Sequence, residues 1–243
     1  LDEGVDPELA ASFYMATGMV ENAEPVYKIV RIGGLSESND TISHASPQVT
    51  SSGISRSATA NDPYFSKQWN FYNDGSIAGS VAGVDINLFD AWDITTGSSN
   101  VIVAIIDGGV NYTHEDLADA MWINPGEIPG NGIDDDGNSY VDDVYGYDFY
   151  GLSGAILADK HGTHVAGVVG ANSNNSKGVV GIAGGSGSGD GVRIMSCQIF
   201  EANGVGTATT ANIKHAFLYA ADNGAVISQN SWGYDTPNYQ NTT

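Results

Sequence analysis

At 243 residues with 41% apolar side chains, the chain is long enough to bury the core of one globular domain and carry extra segments besides. Its 29 acidic against 8 basic side chains give a formal net charge of -21, which repels polyanions and argues against nucleic acid as a partner. A single cysteine excludes an intrachain disulfide framework and multi-cysteine zinc sites, and no run approaches the roughly 18 apolar residues of a membrane span.

The chain opens at Leu1 without a basic or strongly apolar leader region, so any signal peptide is expected to have been removed or to lie outside it. Residues 1–35 carry one helix signal, with Asp6 as N-cap and Pro7 at the first helical position, and then a strand-like stretch at 26–32. Residues 36–60 are rich in Ser, Thr, Asn and Gly and poor in large apolar groups, the composition of a flexible linker. A domain begins at Asn61-Asp-Pro-Tyr-Phe65, and 61–243 reads as one α/β unit. Within it a helix is expected over 85–92 and a strand at 101–106, whose unbroken apolar run marks burial on both faces of a parallel sheet. An acidic, Gly-rich loop follows over 123–160, then a helix from about His161, a strand over 192–199, a helix over 207–222 and a strand at 225–228. Cys197 lies in the third of these as a small buried side chain. This alternation implies a mostly parallel sheet with helices on both faces and functional groups beyond the C-terminal strand ends. The visible strands would leave an open edge, so the domain is expected to be incomplete on its C-terminal side.

Asp107 follows the buried strand directly, and Gly108 and Gly109 allow the backbone to turn sharply behind it. A partner for this carboxylate is offered by His161-Gly-Thr-His-Val-Ala-Gly167, in which small residues at 162, 166 and 167 allow close helix packing. The positive end of the helix dipole disfavours a second proton on His161, which suits a general base. His164, one turn on, is expected to be a buried packing histidine.

In the acidic loop, Asp134, Asp136, Asn138 and the Tyr140 carbonyl stand at alternate positions, the ligand rhythm of the first half of an EF-hand loop. The second half departs from it: Ser139 stands where Gly is expected and Tyr145 where the bidentate Glu should be, so closure would fall to Asp142 or Asp143. The alternative is a solvated acidic loop. Five carboxylates within ten residues repel one another unless a cation intervenes, which favours a calcium site.

Taken together, Ile105-Ile-Asp-Gly-Gly-Val110, His161-Gly-Thr-His-Val-Ala-Gly167 and Val226-Ile-Ser-Gln-Asn-Ser-Trp-Gly233 resemble, in order, three motifs of the subtilisin-like serine proteases, the subtilases. Gly108 departs from the family's usual Ser or Thr. The resemblance implies a three-layer subtilisin-like fold and an endopeptidase with an Asp-His-Ser triad, in which Asp107 orients His161 and His161 takes the serine proton. The serine motif and the later oxyanion-hole asparagine do not occur in the chain, which alone is therefore expected to be inactive. It further implies an extended-peptide groove between Phe200, Gly204 and Gly206 on one side and Ser231, Trp232 and Gly233 on the other. Asp62, Asp116, the Asn175 side chain and the carbonyls of Asn172, Lys177 and Val179 look like a thermitase-like calcium site. Calcium at one or two sites is thus the implied cofactor, with no organic cofactor. Implied partners are peptide or protein substrates and the remainder of the catalytic domain, in a secreted or cell-surface protein. Residues 1–60 would be the end of a propeptide and its linker. The competing reading is a calcium-binding pseudoprotease that grips peptides without cleaving them.

Overall fold

The computed structural model describes residues 28–31, 60–201 and 208–233. The expected helix at Asp6, the linker at 36–59, and Gly204 and Gly206 lie outside the described residues. The described strands are β1 (Lys28–Arg31), β2 (Ile102–Asp107), β3 (Gly146–Asp148), β4 (Arg193–Gln198), β5 (Ala208–Thr209), β6 (Ile227–Gln229) and β7 (Trp232–Gly233). The α-helices are α1 (Leu88–Trp92), α2 (Lys160–Gly170) and α3 (Thr210–Asp222).

Four strands form a parallel sheet in the order β3-β4-β2-β6. The β2 run Ile-Val-Ala-Ile-Ile-Asp is buried at every position but the first, as its lack of polar alternation predicts. Successive side chains serve opposite layers. Val103, Ile105 and Ile194 pack with Ala166 of α2, whereas Ala104, Ile106, Met195 and Cys197 pack with Ile213, Ala216 and Tyr219 of α3. A sheet with a helix on each face is the expected three-layer α/β arrangement. Cys197 is fully buried, and that burial pushes its thiol pKa up, in keeping with a packing role.

Differences from the sequence expectations have local causes. α1 is shorter than 85–92 because the Asp85 side chain accepts from the backbone N–H groups of Asn73 and Asn87, and Asn87 itself turns left-handed (φ 54°). β3 interrupts the acidic loop and carries no periodic signal. It forms because Gly146, at φ 118°, lies so close to β4 that an added Cβ would sit 2.0 Å from the Ser196 carbonyl oxygen. The strand expected at 225–228 is β6, at Ile227–Gln229, and Val226 and Ile227 are exposed on that edge.

Strand register sets the site. Asp107 on β2, Gln198 on β4 and Asp148 on β3 occupy one row at the C-terminal rim. A sheet of this kind presents its chemistry at that rim.

Candidate active site

Asp107 is held from several directions. Its carbonyl oxygen accepts from the Ile199 N–H at 2.8 Å, its carboxylate accepts from the Gly108 N–H at 2.6 Å, and the side chain is 1% exposed. The turn behind it requires Gly109: φ is 102°, and an added Cβ would sit 2.2 Å from the Leu157 carbonyl oxygen. The Gln198 side chain pins the same segment, with Oε1 accepting from the Leu157 N–H and Nε2 donating to the Phe200 carbonyl.

Two residues past Leu157, Asp159 caps α2 through Oδ1, which accepts from the His161 N–H at 2.9 Å and the Gly162 N–H at 3.0 Å. Gly162 is needed for close packing, since a Cβ there would meet the Gly109 carbonyl oxygen at 2.5 Å; at Gly167 it would meet nothing, so that small residue has no such role. The result is that His161 Nδ1 lies 2.9 Å from both carboxylate oxygens of Asp107. With Nδ1 engaged by the carboxylate, the neutral ring carries its proton there and Nε2 keeps the lone pair. The His161 side chain is 23% exposed, so solvent still reaches the ring. His164 corrects the expectation of a buried packing residue. It is exposed and lines a cleft of about 940 Å³ together with Lys67, His114 and Thr163, a cleft that His161 does not line. Helix rotation explains this: Ala166, not His164, faces the sheet.

A second, antiparallel sheet in the order β5-β1-β7 lies beside this rim. β1 pairs Lys28 with Thr209 and Ile29 with Ala208 on one side, and Val30 with Gly233 and Arg31 with Trp232 on the other. The Trp232 indole N–H donates to the Ile106 carbonyl at 2.8 Å, which ties β7 to the residue before Asp107. Ser231 is half-buried and its hydroxyl accepts from the Gln229 side chain. Phe200, expected on the groove, has a core side chain at 1% exposure, packed toward α3, and its carbonyl is taken by Gln198. Alternation from Gln198 would turn it to the other face, but β4 ends at Gln198 and Phe200 joins Ile199 in the α3 layer; the groove expectation concerns its main chain, not this side chain.

The sequence model of the subtilase family matches residues 98–243, more than half of the chain. The chain belongs to the subtilase family. It is 32% identical over 176 residues to halolysin of Haloferax mediterranei, covering 72% of this chain and 27% of that protein. It is 37% identical over 145 residues to the thermophilic serine proteinase of Bacillus sp. strain AK1, covering 60% of this chain and 29% of that one. Halolysin-like extracellular serine protease Nep of Natrialba magadii is 27% identical over 176 residues, with 71% of this chain and 26% of Nep covered. This subtilase chain therefore spans less than a third of each of these relatives. The crystal structure of an Aeromonas sobria serine protease with its chaperone shares the fold, at TM-score 0.51 and 23% identity over 76% of this chain and 28% of that one.

Two groups of oxygen donors in the subtilase fold suit a hard cation. In the first, the buried carboxylates of Asp62 and Asp116 face the 172–179 loop. Asp62 accepts from the N–H groups of Asn174 and Asn175; Asp116 accepts from the Asn175 side-chain amide and the Val179 N–H. Burial raises the Asp62 pKa, with the neighbouring Asp116 charge adding to it. Gly178 lets the loop wrap Asp116, for a Cβ there would sit 2.1 Å from its carboxylate. Asn172 donates its N–H to the Asp116 carbonyl, and the Lys177 N–H goes to the Asn175 side-chain oxygen.

In the second group, oxygens of Glu127, Asp134 and Asp136 lie within 4.8 Å of one another. Glu127 was not anticipated: it stands seven residues upstream as a lone carboxylate, and only folding brings it in. Its Oε1 accepts from the Asp135 and Asp136 N–H groups and its Oε2 from that of Asp142. Asn138 donates to Asp136 and Asp143, and its side-chain oxygen accepts from the Tyr140 N–H. Of the two residues expected to close this group, Asp143 adjoins it, because Asn124 and Asn138 each donate to both Asp136 and Asp143. Asp142 accepts from the N–H groups of Asn131 and Gly132, whereas Asp143 is fully buried and accepts from the Tyr219 hydroxyl at 2.6 Å. Burial raises the Asp143 pKa, and the hydrogen bond from Tyr219 works against that rise.

Proposed function

We propose that this subtilase chain is the Asp- and His-bearing part of the catalytic domain of a serine endopeptidase. The observation that carries the reading is the 2.9 Å approach of His161 Nδ1 to both oxygens of Asp107 at the sheet rim. With the ring oriented from Nδ1, Nε2 accepts the proton of a serine hydroxyl as its oxygen attacks the peptide carbonyl, and returns it to the leaving amine. Asp107 stabilises the imidazolium formed in between. No Gly-Thr-Ser motif occurs in these 243 residues, so on this reading the chain by itself does not turn over peptides.

The strand pairing supports a reading of the groove. A substrate peptide would take the central place between β5 and β7, gaining main-chain hydrogen bonds whatever its sequence, with Ser231, Trp232 and Gly233 as one wall and Gly204 and Gly206 as the other. β1 holds that central place here, in keeping with residues 1–60 as an N-terminal prosegment that occupies the groove until it is removed. Calcium would be held by Asp62, Asp116, Asn172, Asn175, Lys177 and Val179, and at a second site by Glu127, Asp134, Asp136, Asn138 and the Tyr140 carbonyl, with Asp143 beside them. Its role at both is to neutralise clustered carboxylates and fix loops. An extracellular setting fits the calcium demand and the kinship with Nep.

The test uses the protein expressed with the sequence that follows Thr243. A Gly-Thr-Ser motif in that sequence, with peptide hydrolysis that disappears in His161→Ala while the fold is kept, is the expected result. A different residue at the serine position, or unchanged hydrolysis in the variant, ends the enzyme reading and favours a peptide-gripping pseudoprotease.

A further inference from the structure

Asp159 does more than an ordinary helix cap requires. It is 3% exposed, and one of its carboxylate oxygens, one of Asp107 and a ring nitrogen of His161 lie within 4.8 Å of one another. Two buried carboxylates so close repel each other when both are charged, and each accepts from backbone donors: Gly108 for Asp107, His161 and Gly162 for Asp159. The imidazole is within reach of both. We propose that Asp159 is a positioning residue for His161: it fixes the start of the helix that carries the ring and, with Asp107, flanks the positive charge the ring gains on taking a proton.

The inference rests on the reading of His161 as general base and deepens it. When the serine proton leaves its oxygen and binds Nε2, a neutral ring beside two anions becomes a cation beside two anions. That relieves a repulsion present before the reaction, so the contribution is larger in the transition state than in the ground state. It also opposes the helix dipole, whose positive end alone would disfavour the imidazolium.

Other titratable groups stand nearby: Lys67, His114, Glu115, Lys160, His164 and Lys177 line a cleft that Asp159 also lines. On the first turn of α2, Lys160 and His164 are both exposed. From β2 only Asp107 faces the ring. β4 turns the apolar Ile194 and the neutral Ser196 and Gln198 toward this side, with Ser196 Oγ accepting from the Val110 N–H and Gln198 Oε1 from that of Leu157. The loop after Asp107 contributes Asn111, whose N–H goes to Thr163 Oγ1, and His114, whose Nδ1 accepts from the Asp116 N–H.

The test compares wild-type protein, carrying its serine segment, with Asp159→Asn and Asp159→Ser. Both replacements retain a neutral N-cap acceptor, so loss of fold in one leaves the other to decide. The expected result is a kcat lowered about tenfold with KM unchanged, and an acid limb of the pH–rate profile moved about one unit toward lower pH, the same free energy read twice. The ring C–H resonance of His161, followed by NMR, titrates at correspondingly lower pH. A wild-type kcat and an unmoved acid limb overturn the proposal and leave Asp159 a cap alone. If the wild-type protein hydrolyses nothing, the protease reading fails separately, and the NMR midpoint still decides: no change on replacing Asp159 overturns the charge role.

Discussion

The sheet rim and the acidic loop lie side by side and are ordered by opposite means. At the rim, Asp107 and His161 are placed by apolar strands, close helix packing and a glycine turn, with few polar groups and each of those fixed. The loop from 123 to 159 holds one three-residue strand, and its backbone N–H groups are gathered by side-chain carboxylates: Glu127, Asp134, Asp142 and Asp148 each accept two or more. The rim owes its shape to burial, which is insensitive to ions; the loop owes its shape to anions, whose mutual repulsion must be met. Rigidity suits a proton-transfer pair, and a charge-built loop suits an element whose order depends on a cation.

The sharpest way to break this contrast is to add one methyl group to each region. Gly109→Ala at the rim meets both a φ of 102° and the Leu157 carbonyl, and it is expected to cost about 2–4 kcal/mol in denaturant unfolding. Gly130→Ala in the loop has φ 72° but nothing within 4 Å of the new Cβ, so only the backbone strain remains, about 1 kcal/mol. Equal costs would mean that the rim is no more tightly packed than the loop. The next effect is the cation's. Calcium at one hundred times its Kd is expected to raise stability by about 2.7 kcal/mol, and chelation to remove it. Hydrogen exchange followed through the chelation should speed up at 127–143 and at 172–179 while the β2 and β4 amides stay protected. A melting curve and exchange pattern that ignore chelator would count against both calcium sites.

How much of this was legible follows the same divide. Burial leaves a pattern in sequence: the run at 101–106 gave β2 and the position of Asp107, and the small residues after His161 gave α2. Where a side chain's direction depends on where a strand stops or how a helix is turned, pattern failed. The Phe200 side chain is core, which its place in a groove segment did not reveal; His164 was read as core and is exposed. In the loop, alternation at Asp134, Asp136 and Asn138 flagged a charge-built structure, yet its partner Glu127 was invisible because a single carboxylate has no period. The pairing of β1 between β5 and β7 was equally unreadable, since strand partners distant in sequence leave no local mark.

The smallest expected effect comes from Asp148, where the two regions meet on β3. Burial holds its carboxyl pKa above the ordinary 3.8, against the pull of hydrogen bonds from the Gly151 and Tyr150 N–H groups. The folded state thus binds this proton more tightly than the unfolded chain. The group's stability contribution is full below about 3.8 and is lost as pH rises through the folded value. Asp148→Asn retains an oxygen that can accept both N–H groups, each at 2.9 Å in the wild type, and removes the titration. The stability difference between variant and wild type should therefore shift in the variant's favour from about pH 4 upward and level off once the carboxyl is ionised. A difference that stays flat across that range would mean Asp148 keeps its proton no better than an exposed carboxylate, and that β3 belongs with the charge-built loop rather than with the buried rim.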